Sequence, residues 1–218
     1  MMLKVSQDQR RRLRNLDYRE ILNYNEEEAA LIIADPPYNL DLEDWDKDFD
    51  FEELMWIIST ALKPDGSALI FNILPNVLEM YRHAETYRLF VQDLMVWVKP
   101  SFPQRYLRKR GYVNKNREYI LWVSKSKTPP FQLKPDEAYH NGVFDYPSLS
   151  SSSKEKVFPY QKPKALIEDL ILRHSQPFDL VIDLFSGSGI VAKCCKQWNR
   201  RYLGYEMDKE TFDRIELD

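Results

Sequence analysis

Cysteine is nearly absent from this 218-residue chain, and its two examples, Cys194 and Cys195, are adjacent. Neighbours in sequence rarely bridge each other, and no Cys/His spacing suits zinc, so neither a disulfide framework nor a metal is expected. Long apolar runs are missing as well. None approaches the roughly 20 residues that span a bilayer, and the charged stretch Met1 to Leu16 lacks the apolar core of a secretory signal. A cytoplasmic protein without membrane association is the expectation. Glycine is scarce, six in all, so two close together mark a loop that needs their backbone freedom. Neither sign of charge dominates: 31 Lys and Arg against 34 Asp and Glu leave a net −3. That balance excludes a uniformly basic nucleic-acid binder.

Charge is nevertheless unevenly placed. No acidic residue lies between Asp93 and Glu118, whereas Lys99, Arg105, Arg108, Lys109, Arg110, Lys115 and Arg117 all do. Acid gathers instead in Asp41 to Glu53. Such asymmetry suits a neutral body with one phosphate-facing side, and residues 99–117 are its candidate contacts. The arginines at 10, 11, 12 and 14 read as a solvated terminal face.

With 44% hydrophobic residues the chain has enough apolar material for one well-packed domain spanning 1–218. Ala29 to Ala34 is an apolar run without alternation, the pattern of a strand buried on both faces. Asp35-Pro36-Pro37 stops it, because consecutive prolines cannot continue a ladder. Further strands are expected at 13–16, 67–71, 89–98, 119–123, 180–185 and 201–206. Apolar residues recur at helical spacing over 51–62, 77–87, 163–173 and 190–197. Residues 125–157 hold prolines, aromatics and a serine run without periodicity, which reads as loop or insert. Strands alternating with helices imply an α/β fold, a mostly parallel sheet with helices on both faces.

Two motifs carry chemistry. Asp183-Leu184-Phe185-Ser186-Gly187-Ser188-Gly189 follows a buried strand and opens a helix, the setting of a glycine-rich ligand loop. An Asp at the strand end suits a ligand ammonium, and Phe185 an apolar ligand surface. At the end of the next strand, Glu206 is placed to accept hydrogen bonds from ribose hydroxyls. The second motif, Asp35-Pro36-Pro37-Tyr38, ends its own buried strand. Open α/β sheets bind ligands at that edge, so both motifs should face one crevice. Here a rigid Pro-Pro pair sets a carboxylate beside a backbone carbonyl, with an aromatic ring next to them. An aryl amine is a poor nucleophile because its lone pair is delocalised into the ring. Donating its two N–H groups to a carboxylate and a carbonyl lets it pyramidalise, and the carboxylate stabilises the positive charge that develops. Tyr38 can stack on an extruded base.

These residues resemble the DNA amino-methyltransferases, specifically those whose catalytic motif precedes the glycine loop. Asp183 to Gly189 is similar to their D-P-F-x-G-S-G, and Asp35 to Tyr38 to their D-P-P-Y. Trp97-Val98-Lys99 and Glu118 to Trp122 match further segments. Phe158-Pro159-Tyr160-Gln161-Lys162-Pro163 resembles H-P-T-Q-K-P, with Phe158 and Tyr160 in place of His and Thr; Ile190-Val191 replaces Thr-Thr.

The resemblance implies a Rossmann-like, S-adenosylmethionine-dependent methyltransferase fold with seven strands, one antiparallel. It implies Asp35, Pro36, Pro37 and Tyr38 as catalytic residues acting on a flipped DNA base. Asp17, Asp35, Asp183, Phe185, Ser186, Gly187, Ser188, Gly189, Glu206 and Lys162 would bind the cofactor, Asp17 at its adenine. Target recognition would fall in 125–157, short enough to suggest a homodimer. The D-P-P-Y form is similar to adenine N6 enzymes of restriction-modification type. Cytosine N4 methylation, an RNA substrate and an inactive nucleic-acid-binding subunit remain alternatives. Release-factor glutamine methyltransferases carry N-P-P-Y with the motifs in reverse order.

Overall fold

The computed structural model describes residues 12–23, 27–41, 46–100, 116–150, 153 and 156–216. Its strands are β1 (Leu13–Arg14), β2 (Ala29–Ala34), β3 (Leu62–Asn72), β4 (Phe90–Val98), β5 (Arg117–Ser124), β6 (Val143–Asp145), β7 (Leu180–Asp183) and β8 (Arg201–Tyr205). The helices are α1 (Phe51–Ala61), α2 (Leu74–Thr86), α3 (Lys164–His174), α4 (Ile190–Gln197) and α5 (Lys209–Arg214), with a 3-10 helix at Tyr18–Asn23.

All six residues of β2 are buried, as an unalternating apolar strand requires. It stands inside one sheet of order β1-β8-β7-β2-β3-β5-β4-β6. Side chains along β2 alternate between two apolar layers. Ile32 and Ala34 join Tyr18, Ile21, α1 and α2 on one face; Leu31 and Ile33 join α3 and α4 on the other. Helices therefore cover both faces, as expected.

Among the described residues only β5 runs against the rest: it pairs antiparallel with both β3 and β4, and every other pairing is parallel. The single reversed strand agrees with expectation, but the sheet has eight strands rather than seven. The extra one is β6, three residues inside 125–157 that pair with Val96 to Val98. Three residues are too few to show a period. α5 is likewise too short to read, although Asp208 caps it by accepting from the Thr211 N–H at 2.7 Å. β3 begins earlier than expected, at Leu62, because Pro64 to Gly66 bulge out of register with β2. A Cβ on Gly66 would lie 2.7 Å from the Ala29 carbonyl oxygen, so that bulge closes only with glycine.

Residues 131–146 are held to the body largely by charge. Arg173, 2% exposed on α3, donates to both Glu137 oxygens at 2.7 Å and to Asp169 at 3.0 Å. Asp169 also accepts from the Tyr146 hydroxyl at 2.8 Å and pairs with Lys134. Phe131 packs on Trp122 and His174. Among the described residues, no helix is long and apolar enough to cross a membrane, and no cluster of His, Cys, Asp and Glu could hold a metal.

Removing the guanidinium strands two carboxylates, one of them buried. Arg173→Ala should cost about 3 kcal/mol in denaturant unfolding and expose 125–146 to limited proteolysis. Unchanged stability would show that Arg173 does not anchor this segment.

Candidate active site

Parallel strands all point the same ends toward one edge. Ile33 of β2 pairs with Asp183 of β7, and Asp183 pairs with Gly204 of β8. The Asp35 tetrapeptide, the glycine loop and Glu206 therefore leave the sheet side by side. β3 adds Asn72 to this edge, and reversed β5 brings Glu118 there because Asn72 pairs with Tyr119. β4 ends beside Arg117, so Lys99 arrives next.

The glycine loop is shaped by backbone conformation and by Tyr202. Gly187 and Gly189 have φ of +48° and +71°, angles that side chains disfavour. Gly187 N–H donates to Glu206 at 2.9 Å, and Asp208 N–H to the other Glu206 oxygen at 2.9 Å. Asn15 donates to the Glu206 carbonyl at 2.9 Å, fixing this acid from β1. The Tyr202 hydroxyl reaches Asp183 at 3.3 Å and Ser186 at 3.0 Å. It crosses Gly204 to do so: a Cβ there would lie 2.0 Å from that hydroxyl. Phe185 packs on Tyr18 and Phe49, with centroids 5.0 and 5.7 Å away, and forms an apolar wall. Ser188 is buried at the start of α4, and the Phe158 ring lies over Gly187.

Asp183 is 2% exposed and, among the described residues, pairs with no cation. Burial pushes its carboxyl up to about 8, against the Phe185 N–H and Tyr202 hydrogen bonds. Burial raises Glu206 too. Asp17 accepts from Arg19 at its backbone N–H, Nε and Nη2, at 2.9, 2.8 and 2.6 Å. Burial raises it, but the arginine outweighs this and holds it low.

The tetrapeptide is clamped from below. Tyr38 N–H donates to buried Asp46 at 2.6 Å, and Leu40 N–H to the same carboxylate at 3.0 Å. Asn76 donates to the Tyr38 carbonyl at 2.8 Å and to Asn72 at 2.7 Å; Asn72 reaches the Pro37 carbonyl at 3.4 Å. Asp35 keeps 26% of its side chain exposed. Its Oδ1 accepts from the Tyr38 hydroxyl at 3.0 Å and its Oδ2 from Lys162 at 2.5 Å. Tyr38 also lies 3.1 Å from Glu118, which Lys99 holds from the far side. Burial raises Asp35, with Lys162 opposing and Glu118 adding to the rise. For Glu118 burial is outweighed by Lys162, Lys99 and Tyr38, and it sits below the ordinary range.

The structure thus brings Asp35 to Tyr38, Asp183 to Gly189 and Glu206 together. It places Lys162 on Asp35. Lys99 faces Glu118 with only 14% of its side chain exposed, and Arg117 is exposed. Arg105, Arg108, Lys109, Arg110 and Lys115 lie outside the described residues, as do the arginines at 10 and 11. Sequence reasoning missed Asn72, Asn76, Asp46, Tyr202 and the role of Glu118.

Asp183 ionises at 3.8 as a free carboxyl and at about 8 here. Its folded pKa is raised, so its stabilising contribution is full below 3.8 and is lost as pH rises through 8. The ligand-free protein should lose stability across that window in denaturant titrations, and Asp183→Asn should lose less. Parallel pH curves for the two would contradict this.

A family model described as DNA methylase, for N6 and N4 methyltransferases, matches residues 29–217. Type II methyltransferase M1.MboII of Moraxella bovis is 30% identical over 225 residues, covering 84% of this chain and 85% of that protein. The structure of an M1.HpyAVI–SAM complex aligns with TM-score 0.78 at 30% identity, over 93% of this chain and 96% of that one. The PvuII cytosine-N4-specific DNA methyltransferase shares the fold, with TM-score 0.77 at 21% identity over 93% and 83%.

Proposed function

The chain belongs to the DNA methylase family of N6 and N4 amino-methyltransferases, and on that premise we propose that it methylates the exocyclic N6 amine of adenine in DNA, with S-adenosylmethionine as donor. The observation that carries this reading is the register of β2 and β7. It sets a partly exposed carboxylate, Asp35, beside a loop whose buried Asp183 has no cation partner among the described residues.

The donor set fits the cofactor. Asp183 would take its ammonium, and Glu206 keeps lone pairs free for ribose hydroxyls after accepting two N–H groups. Phe185 and Ser186 to Gly189 line the same loop, and Asp17 lies before the Tyr18 ring that packs on Phe185. Bound there, S-adenosylmethionine supplies an electrophilic methyl group.

On the acceptor side, Asp35 and the Pro36 carbonyl accept the two amine N–H groups and aim the nitrogen lone pair. Asp35 stabilises the positive charge arising on nitrogen, and positioning supplies much of the rate. Tyr38, held by Asp46 and Asn76, offers its ring to the extruded base. No covalent enzyme intermediate forms. Burial pushes the Cys194 thiol up to about 12 and raises Cys195 as well, which leaves neither as a nucleophile. Arg117 and the basic stretch before it contact phosphates, and 125–157 contributes to target recognition. Adenine is favoured over cytosine by Asp at position 35, where cytosine N4 enzymes of this order more often carry Ser.

Incubation with mixed-sequence DNA, followed by digestion and nucleoside mass spectrometry, should yield N6-methyladenine. N4-methylcytosine would overturn the base assignment and leave amine methylation standing. Asp35→Ala should reduce turnover at least about 100-fold while keeping S-adenosylmethionine binding in equilibrium dialysis. Because Asp183 must ionise to pair with an ammonium, that binding should tighten as pH rises from 6 toward 8. Affinity that is flat over this range would remove Asp183 from the role.

A further inference from the structure

The Lys162 ammonium sits on the carboxylate that the proposed mechanism assigns to the target amine. It donates to Asp35 Oδ2 at 2.5 Å while Tyr38 takes Oδ1 at 3.0 Å, so both carboxylate oxygens are engaged. Each oxygen keeps a second lone pair, but a base amine has Oδ2 to itself only when the ammonium withdraws. Lys162 has somewhere to go: Glu118 Oε2 stands 3.4 Å from Nζ, and the Lys99 ammonium engages only the opposite oxygen. The Phe71 and Tyr38 ring centroids stand 5.2 and 5.5 Å from Nζ, a setting that favours a cation there. The backbone need not move. Pro163, next in the chain, already accepts from Leu166 and Ile167 at the start of α3. A cation left against Asp35 would also oppose the positive charge developing on the amine, whereas on Glu118 it is neutralised.

We propose that Lys162 is an acceptor-side positioning residue: it aligns the Asp35 carboxylate before DNA binds and passes to Glu118 when the target amine arrives. This rests on the methyl-transfer reading above, but it makes a claim about Asp35 that is measurable without turnover. Five ionisable groups act around that carboxylate: Tyr38 and Lys162 in contact, Glu118 beyond them, Lys99 behind Glu118, and Asp183 on the neighbouring strand. Lys162 lowers Asp35 and Glu118 raises it. The two neighbours therefore act with opposite sign.

The test is the titration of the Asp35 carboxyl by 13C NMR, assigned by the signal lost in Asp35→Asn, together with the acid limb of kcat/KM against pH. Lys162→Gln should move both upward by about one unit or more. Glu118→Gln should move both downward, since it removes a repelling charge and leaves Lys162 a single carboxylate partner. Lys162→Arg keeps the charge and should leave the NMR titration in place while lowering kcat, because the broader guanidinium cannot make the same transfer. S-adenosylmethionine binding should be unchanged in all three. An Asp35 titration unmoved in Lys162→Gln would overturn the proposal, as would shifts of the same sign in the Lys162 and Glu118 variants. Lost cofactor binding in Lys162→Gln with an unmoved acid limb would instead assign the lysine to the cofactor. Failure of the unaltered enzyme to methylate any DNA would remove the methyl-transfer reading, and the NMR titrations would still decide whether Lys162 and Glu118 set Asp35.

Discussion

Ile33 faces Asp183 across β2 and β7, and most of the site depends on that parallel register. Both strands stop at this level, so two motifs nearly 150 residues apart in sequence emerge next to each other. A slip of one residue would turn every β2 side chain to the opposite layer. Each layer is apolar and tightly filled, so the register is specified twice over. The link continues past the strand ends, where Leu184 N–H donates to the Ile33 carbonyl at 3.2 Å.

Two carboxyls on neighbouring strands, Asp183 buried and Asp35 partly exposed, then acquire different characters. Among the described residues Asp183 has a hydroxyl and an N–H as partners, and burial pushes its carboxyl up to about 8. Asp35 has an ammonium in contact, which works against the same burial. Environment rather than residue type distinguishes a carboxyl waiting for a cation from one that already has an ammonium in contact. Reversed β5 completes the second setting, because only a strand running that way presents Glu118 at the ligand edge.

α3 ties this chemistry to the segment 125–157. Lys162 precedes its first turn, and Arg173 near its last turn fixes Glu137 and, with Asp169, the neighbourhood of Tyr146. One rigid helix therefore carries a group on the acceptor carboxylate at one end and an anchor for the insert at the other. β6 adds a second attachment through Val96 to Val98, next to Lys99.

Amino-acid order alone determined the α/β class, the buried strand Ala29–Ala34, helix Ile190–Gln197 and both motifs, since continuous apolar runs, helical periods and proline or glycine punctuation are local signals. It did not reveal β6 or α5, which are too short to show a period. Nor did it reveal the cluster around Asp35. Lys162 lies 127 residues from that carboxylate and Glu118 lies 80 from Tyr38, and no local pattern tells a buried charge with a distant partner from a solvated one. Lys99 illustrates the point: in the sequence it belongs to a basic stretch, whereas in the fold it neutralises Glu118. Which residues could supply the chemistry was written in the chain, but which charges meet was decided by the tertiary structure. Electrostatic pairing depends on separation in space and on excluded water, and both are properties of the packed sheet edge.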